Sequence, residues 1–141
     1  MLRNIREDEI HLLKDDPVRP HIEHAWRVRH SREVYVLEND ESGKIDAVVC
    51  VAFTDEVPKT ERDLGWPGVD VAVFYTVWSY SKGAGREIIF AAQRHLKSKR
   101  PYVKRYVTLS PLTEMAERFH TRNGATLIGR YNTCQNFEYP A

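Results

Sequence analysis

The sequence predicts an α+β fold, a mixed central β-sheet flanked by helices, in a single domain over residues 1–141. Three observations carry this. Runs rich in β-branched and aromatic residues recur, above all "VDVAVFYTVWS". Between them lie segments with apolar residues at helical spacing, such as "REIIFAAQRHL". One strand-like run passes straight into a helical one through a Gly-x-Gly turn, "TVWSYSKGAGREIIF".

The elements follow in order. Residues 2–16 read as a short extended segment leading into a helix, with Ile10, Leu12 and Leu13 apolar. Two prolines interrupt "DDPVRPHIEHAWRVRH", and Ile22, Ala25, Trp26 and Val28 then suggest a second helix. "EVYVLEND" and "KIDAVVCVAF" read as a hairpin around an Asn-Asp-Glu-Ser-Gly turn. A polar loop, "TDEVPKTERDLGWPG", leads to the most strand-like run in the chain. The helix after the glycines carries Ile88, Ile89, Ala92 and Leu96 on one face, and Lys97, Lys99 and Arg100 at its C-terminus suit the helix dipole. "KRYVTLS" is a strand. "PLTEMAERFHTRN" is a helix with Met115, Ala116 and Phe119 on one face and Gly124 as its C′ residue. "ATLIGRY" and "CQNFEYP" close the chain as strands.

Composition narrows the function classes. Net charge is +1, so no global field draws the chain to nucleic acid or membrane. No apolar run approaches membrane-spanning length, and the charged N-terminus lacks a signal-peptide core, so a cytoplasmic location is expected. Cys50 and Cys134 are isolated thiols, the first in an apolar strand. His21 and His24 lack the companions of a metal site, and no metal is expected. The basic stretch "KSKRPYVKR" reads as a solvated helix end and loop rather than a nucleic-acid site. Trp26, Trp66 and Trp78 read as core or partner-contact residues.

The strand–glycine loop–helix unit is an anion site in outline. Gly83 and Gly85 permit close backbone approach, and the first N–H groups of the helix suit a pyrophosphate, with Lys82 and Arg86 at the rim. A glycine turn needed only for sterics gives the same pattern. The Walker and dinucleotide fingerprints are absent.

In context, "YSKGAG" and "AERFHTRNGA" resemble the loop and last helix of the GNAT acetyltransferase superfamily. Tyr80 stands where that loop has Arg or Gln, and His120 where the helix has a Tyr that protonates the departing thiolate. The resemblance implies that Val77 and Ser79 face the pantetheine arm of coenzyme A. It implies that Lys82, Gly83, Ala84, Gly85 and Arg86 face the phosphates.

Within the superfamily the chain is more similar to the catalytic domain of malonyl-CoA decarboxylase. The resemblance is carried by "AVFYTVWS", "GAGREI", "TLSPL", "RFHTRNGATLIGRYN" and "QNFEY", and is densest over residues 71–139. Position by position it implies Ser110 and His120 as the catalytic pair, Glu87 as their support and Tyr139 as a further site residue. The family's enzymes are longer and carry a helical domain ahead of this one. The implied substrate is a coenzyme A thioester, malonyl-CoA or acetyl-CoA. The implied partners are that small molecule and a second copy of the chain. In such chemistry His120 protonates an enolate, Ser110 orients the leaving carboxylate, and backbone N–H groups of the central strand hold the oxyanion. The alternatives are an N-acyltransferase acting on an amine, with His120 or Tyr139 as acid and water or Asp70 as base, and a non-catalytic CoA-binding or interaction module.

Each site residue also has an ordinary reading. Ser110 before Pro111 suits a helix N-cap with Pro at N1. His120 suits a helix end and Glu87 a first turn, and Tyr139 suits packing on an edge strand.

Overall fold

A computed structural model describes residues 1–141, built on one eight-stranded sheet whose strands lie between Leu2 and Tyr139. The strands are β1 (Leu2–Asn4), β2 (Arg32–Glu38), β3 (Ile45–Thr54), β4 (Val71–Ser79), β5 (Arg105–Thr108), β6 (Ser110–Pro111), β7 (Thr126–Arg130) and β8 (Cys134–Tyr139). Their order is β1-β2-β3-β4-β5-β8-β6, with β7 on β8. Every pairing is antiparallel except β4 with β5. The long helix α2 (Ala84–Lys99) makes the crossover that this parallel pair requires.

Alternation along the strands divides the core into two layers. Tyr35, Val49, Val51, Phe74 and Phe137 face α2, against Ile88, Ile89, Ala92 and Leu96. Val34, Val36, Val48, Cys50, Val73 and Tyr75 face the other way, against Leu13 and Leu64. The short helix α1 (His24–Arg27) lies on this second face, with Trp26 packed against the layer. Burying one Ile or Leu of either layer is worth about 1.5–3 kcal/mol.

Two features of the sheet shape the site. Cys50 pairs with Thr76 and Val51 with Phe74, so Tyr75 is an extra residue bulged out of β4. On the other edge, β4 and β5 stay paired only as far as Phe74 and Thr108, and the Leu109 N–H to Phe74 carbonyl bond, at 3.3 Å, is the last rung beyond. The strands then fork.

The N-terminal region departs from expectation. The helix expected within residues 2–16 is a 3-10 segment, Glu7–Asp15. The second helix has four residues, with Arg27 buried and Val28 42% exposed. Pro17 and Pro20 prevent a longer helix, and an ion pair, not apolar periodicity, decides which side faces in. That pair is Arg27 Nη1 on Asp16 Oδ2 at 2.8 Å, with both side chains fully buried. Asp16 Oδ1 accepts from the N–H groups of Val18 and Arg19 and from the Thr76 hydroxyl. Burial pushes this carboxyl up. The Arg19 N–H, Arg27, the Val18 N–H and Thr76 outweigh that and hold it below its usual range.

Candidate active site

The start of α2 has the form of an anion cradle. Gly83 caps it at φ 81°, a conformation that disfavours a side chain. The Ala84 N–H bonds the Ser81 carbonyl, but the N–H groups of Lys82, Gly83, Gly85 and Arg86 find no acceptor within the chain. Lys82 and Arg86 are exposed beside them, and no acidic side chain bonds to either. The donors and charges fit a pyrophosphate. A Cβ on Gly85 would lie 3.4 Å from the Phe119 ring, so this turn seats closely on α3 (Glu114–Arg122). Val77 is half-buried and Ser79 exposed, leading along β4 to the cradle.

Ser110 is the β6 residue just past the fork. It is 4% exposed and caps no helix. The N-cap of α3 is Thr113, whose hydroxyl accepts from the Ala116 N–H at 3.2 Å. The sequence reading of Ser110 as cap and Pro111 as N1 is thereby corrected, because Pro111 sits in the ladder opposite Cys134 and the helix begins later. Ser110 Oγ lies 2.8 Å from Thr108 Oγ1. That oxygen already accepts the Phe137 N–H at 3.1 Å. Either hydroxyl can donate in this pair; when Thr108 donates, the Ser110 proton is left for a ligand.

His120 is buried at 5% exposure. A Schellman turn holds it. The Ala125 N–H bonds the His120 carbonyl and the Gly124 N–H the Thr121 carbonyl, with Gly124 at φ 96°, as expected for C′. The ring stacks on Phe137 with centroids 5.4 Å apart, and its Nδ1 lies 2.7 Å from the Tyr139 hydroxyl. Burial lowers the His120 pKa to about 4 and raises that of Tyr139 to about 12. At neutral pH both groups are uncharged. Tyr139 O–H has no other acceptor, so it donates to Nδ1 and leaves the imidazole proton on Nε2.

The structure brings Ser110, His120 and Tyr139 to buried positions around β5, β6 and β8, but Ser110 and His120 share no hydrogen bond. Tyr139 lies on an inner strand, not an edge. Glu87 is exposed and bonds neither Ser110 nor His120. The supports in place are instead Thr108 and Tyr139. Asp70 precedes β4 at the end opposite Ser79, 3.7 Å from Lys104 Nζ. Met115, expected on the inner face of α3, is 80% exposed, because Phe119 and His120 turn that helix toward β8. Trp66 is 67% exposed.

Two residues had no sequence signal of their own. Thr108 looks like any strand threonine. Asn123, buried at the end of α3, has an Nδ2 with no partner and an Oδ1 3.5 Å from Arg86 Nη1, between the cradle and His120. A recess of about 410 Å3 beneath Thr54–Pro67 includes none of these residues.

No family model matches the chain, and no curated protein is significantly similar to it. Solved structures match. Malonyl-CoA decarboxylase from Agrobacterium vitis superposes with a TM-score of 0.68 at 20% identity, over 84% of this chain and 35% of that one. The chain therefore spans about a third of the decarboxylase's length. The GNAT domain of S. lividans PAT matches with a TM-score of 0.63 at 14% identity, over 98% of this chain and 88% of that one. Aminoglycoside N-acetyltransferase AAC(6')-Iy, in complex with CoA, matches at 0.66 and 12%, over 94% and 96%. These identities establish architecture alone: the chain has the GNAT fold.

Proposed function

We propose that the chain is an acyl-CoA-dependent enzyme that decarboxylates malonyl-CoA. The observation that carries this is the buried Ser110 and the buried, neutral, Tyr139-bound His120 beside the fork that begins at Phe74 and Thr108. The pyrophosphate sits on the free N–H groups at the start of α2, between Lys82 and Arg86, and the pantetheine runs past Ser79 and Val77 to the fork. A solved structure of the same fold holds CoA, which supports CoA as the ligand.

In the reaction, the bond between the carboxylate carbon and the α-carbon breaks. Its electron pair becomes the thioester enolate, and carbon dioxide leaves. Ser110 donates its free proton to orient the carboxylate. It carries no charge, so it does not stabilise the ionic ground state against that loss. The enolate carbon then takes the Nε2 proton of His120. A thioester enolate is a strong enough base to do so from a neutral imidazole. Tyr139 holds the ring in the tautomer that presents Nε2–H, and the imidazole recovers its proton from water.

The test is to incubate the pure protein separately with malonyl-CoA and acetyl-CoA and follow products by mass. Acetyl-CoA appears from malonyl-CoA without an amine. Ser110→Ala and His120→Ala each slow this by about 10²–10⁴-fold while CoA still raises the melting temperature. A wild-type protein that binds CoA but leaves malonyl-CoA intact overturns the reading. Formation of an acyl-amine selects the N-acyltransferase instead, and absence of any CoA-dependent melting shift removes every CoA reading.

A further inference from the structure

A fork between two strands runs through the sheet and so has a mouth on each face. On the α2 face lie the cradle, His120 and Tyr139. The other mouth is occupied. Arg19, 3% exposed, enters it from the segment ahead of α1. Its Nη1 donates to the carbonyl of Tyr75, the bulged residue of β4. Its Nη2 lies 3.9 Å from Cys134 Sγ at the start of β8. The guanidinium therefore bridges the bulge of β4 to β8, the strand that pairs with β5 and β6 beyond the fork.

The side chain is clamped from behind. Nε donates to Glu61 Oε1 at 3.0 Å, from the β3–β4 connection. The Arg19 N–H bonds Asp16 Oδ1 at 2.9 Å, and its carbonyl accepts Arg27 Nη2 at 2.6 Å, so the fully buried Asp16–Arg27 pair anchors the backbone as well. Asn136 on β8 ties the same β3–β4 connection down, through its Nδ2 to the Pro58 carbonyl at 2.9 Å. Two of the five N–H donors of Arg19 have no partner within the chain.

With the thioester entering from the α2 face, an acyl acceptor would have to come through the far mouth. We propose that Arg19 closes that mouth, so that the site admits an acyl-CoA and water-sized molecules but no acyl-accepting substrate. This rests on the acyl-CoA reading and deepens it. It confines the reaction to classes in which the thioester reacts alone, gaining a proton and losing a small molecule.

Cys134 reports on the plug without any turnover. A methanethiosulfonate reagent, followed by intact mass, labels it slowly in the wild type. Arg19→Ala speeds that labelling on the order of tenfold or more, because exposure governs the rate. Cys50, fully buried with its pKa raised to about 11 by burial, stays unlabelled and shows that the fold is intact. Should Arg19→Ala fail to fold, Glu61→Ala removes the acceptor of Arg19 Nε and also speeds labelling. Equal Cys134 rates in the wild type and both folded variants overturn the plug. So does wild-type acylation of a primary amine such as spermidine from acetyl-CoA. A wild type that protects Cys134 and binds CoA yet leaves malonyl-CoA intact defeats the decarboxylase reading and not the plug.

Discussion

His120 shows how little a residue's identity says before its surroundings are known. A histidine late in a helix is ordinarily solvated and favourable to the dipole when charged. Here the Schellman turn, Phe137 and Tyr139 bury it, and its proton affinity falls. Its folded pKa, about 4, lies below the ordinary value of about 6.5, so between those values the unfolded chain binds a proton that the folded chain does not. The His120 contribution to stability is flat above about pH 6.5 and declines as pH falls through about 4, and its loss totals roughly 3 kcal/mol. His120→Gln removes that part of the slope. Urea denaturation of both proteins from pH 7 to 4 measures it, and parallel curves would show that His120 is not buried neutral. Ser110 teaches the same lesson. Its place before Pro111 suited a cap, but Thr113 takes the cap, and Ser110 pairs with Thr108 instead.

At the scale of elements, α2 and β4 make the proposed binding surface together. The glycine loop and the apolar face of α2 were both legible in the sequence, because turn chemistry and helical period are local. Gly83 needs its positive φ for the cap, and a Cβ there would meet nothing within 4 Å. Gly83→Ala therefore acts through the backbone alone and costs about 1–2 kcal/mol in a denaturation experiment. It also weakens CoA binding if the cradle holds the pyrophosphate, which a titration of the melting temperature with CoA reads out. The bulge at Tyr75 was not legible. Nothing in "VFYTVWS" marks which residue is the extra one, since that depends on the register against β3. Yet the bulge puts the Tyr75 carbonyl where Arg19 meets it.

At the scale of the molecule, a buried charge pair locks the N-terminal segment onto the sheet. Asp16 and Arg27 are fully buried, and Thr76 of β4 joins them. Asp16→Asn leaves Arg27 buried without its counter-charge and costs about 3–5 kcal/mol. Asp70→Asn removes a partner of exposed Lys104 and costs at most about 1 kcal/mol. Urea unfolding of the two variants distinguishes them, and equal losses would mean that the Asp16 pair is open to water.

The sequence by itself determined the α+β order, the hairpin of β2 and β3, the cradle at α2, Gly124 as the stop of α3, and the identity of Ser110, His120 and Tyr139 as candidates. These rest on period, turn residues and local resemblance, which act over a few positions. Only the tertiary structure decided that Tyr139, not Glu87, holds His120, that Thr108 holds Ser110, and that Arg19 fills the far mouth of the fork. Arg19 and Cys134 are 115 residues apart, and Tyr139 and His120 are 19. Such contacts depend on strand register, on the bulge and on burial, and no window of sequence contains them.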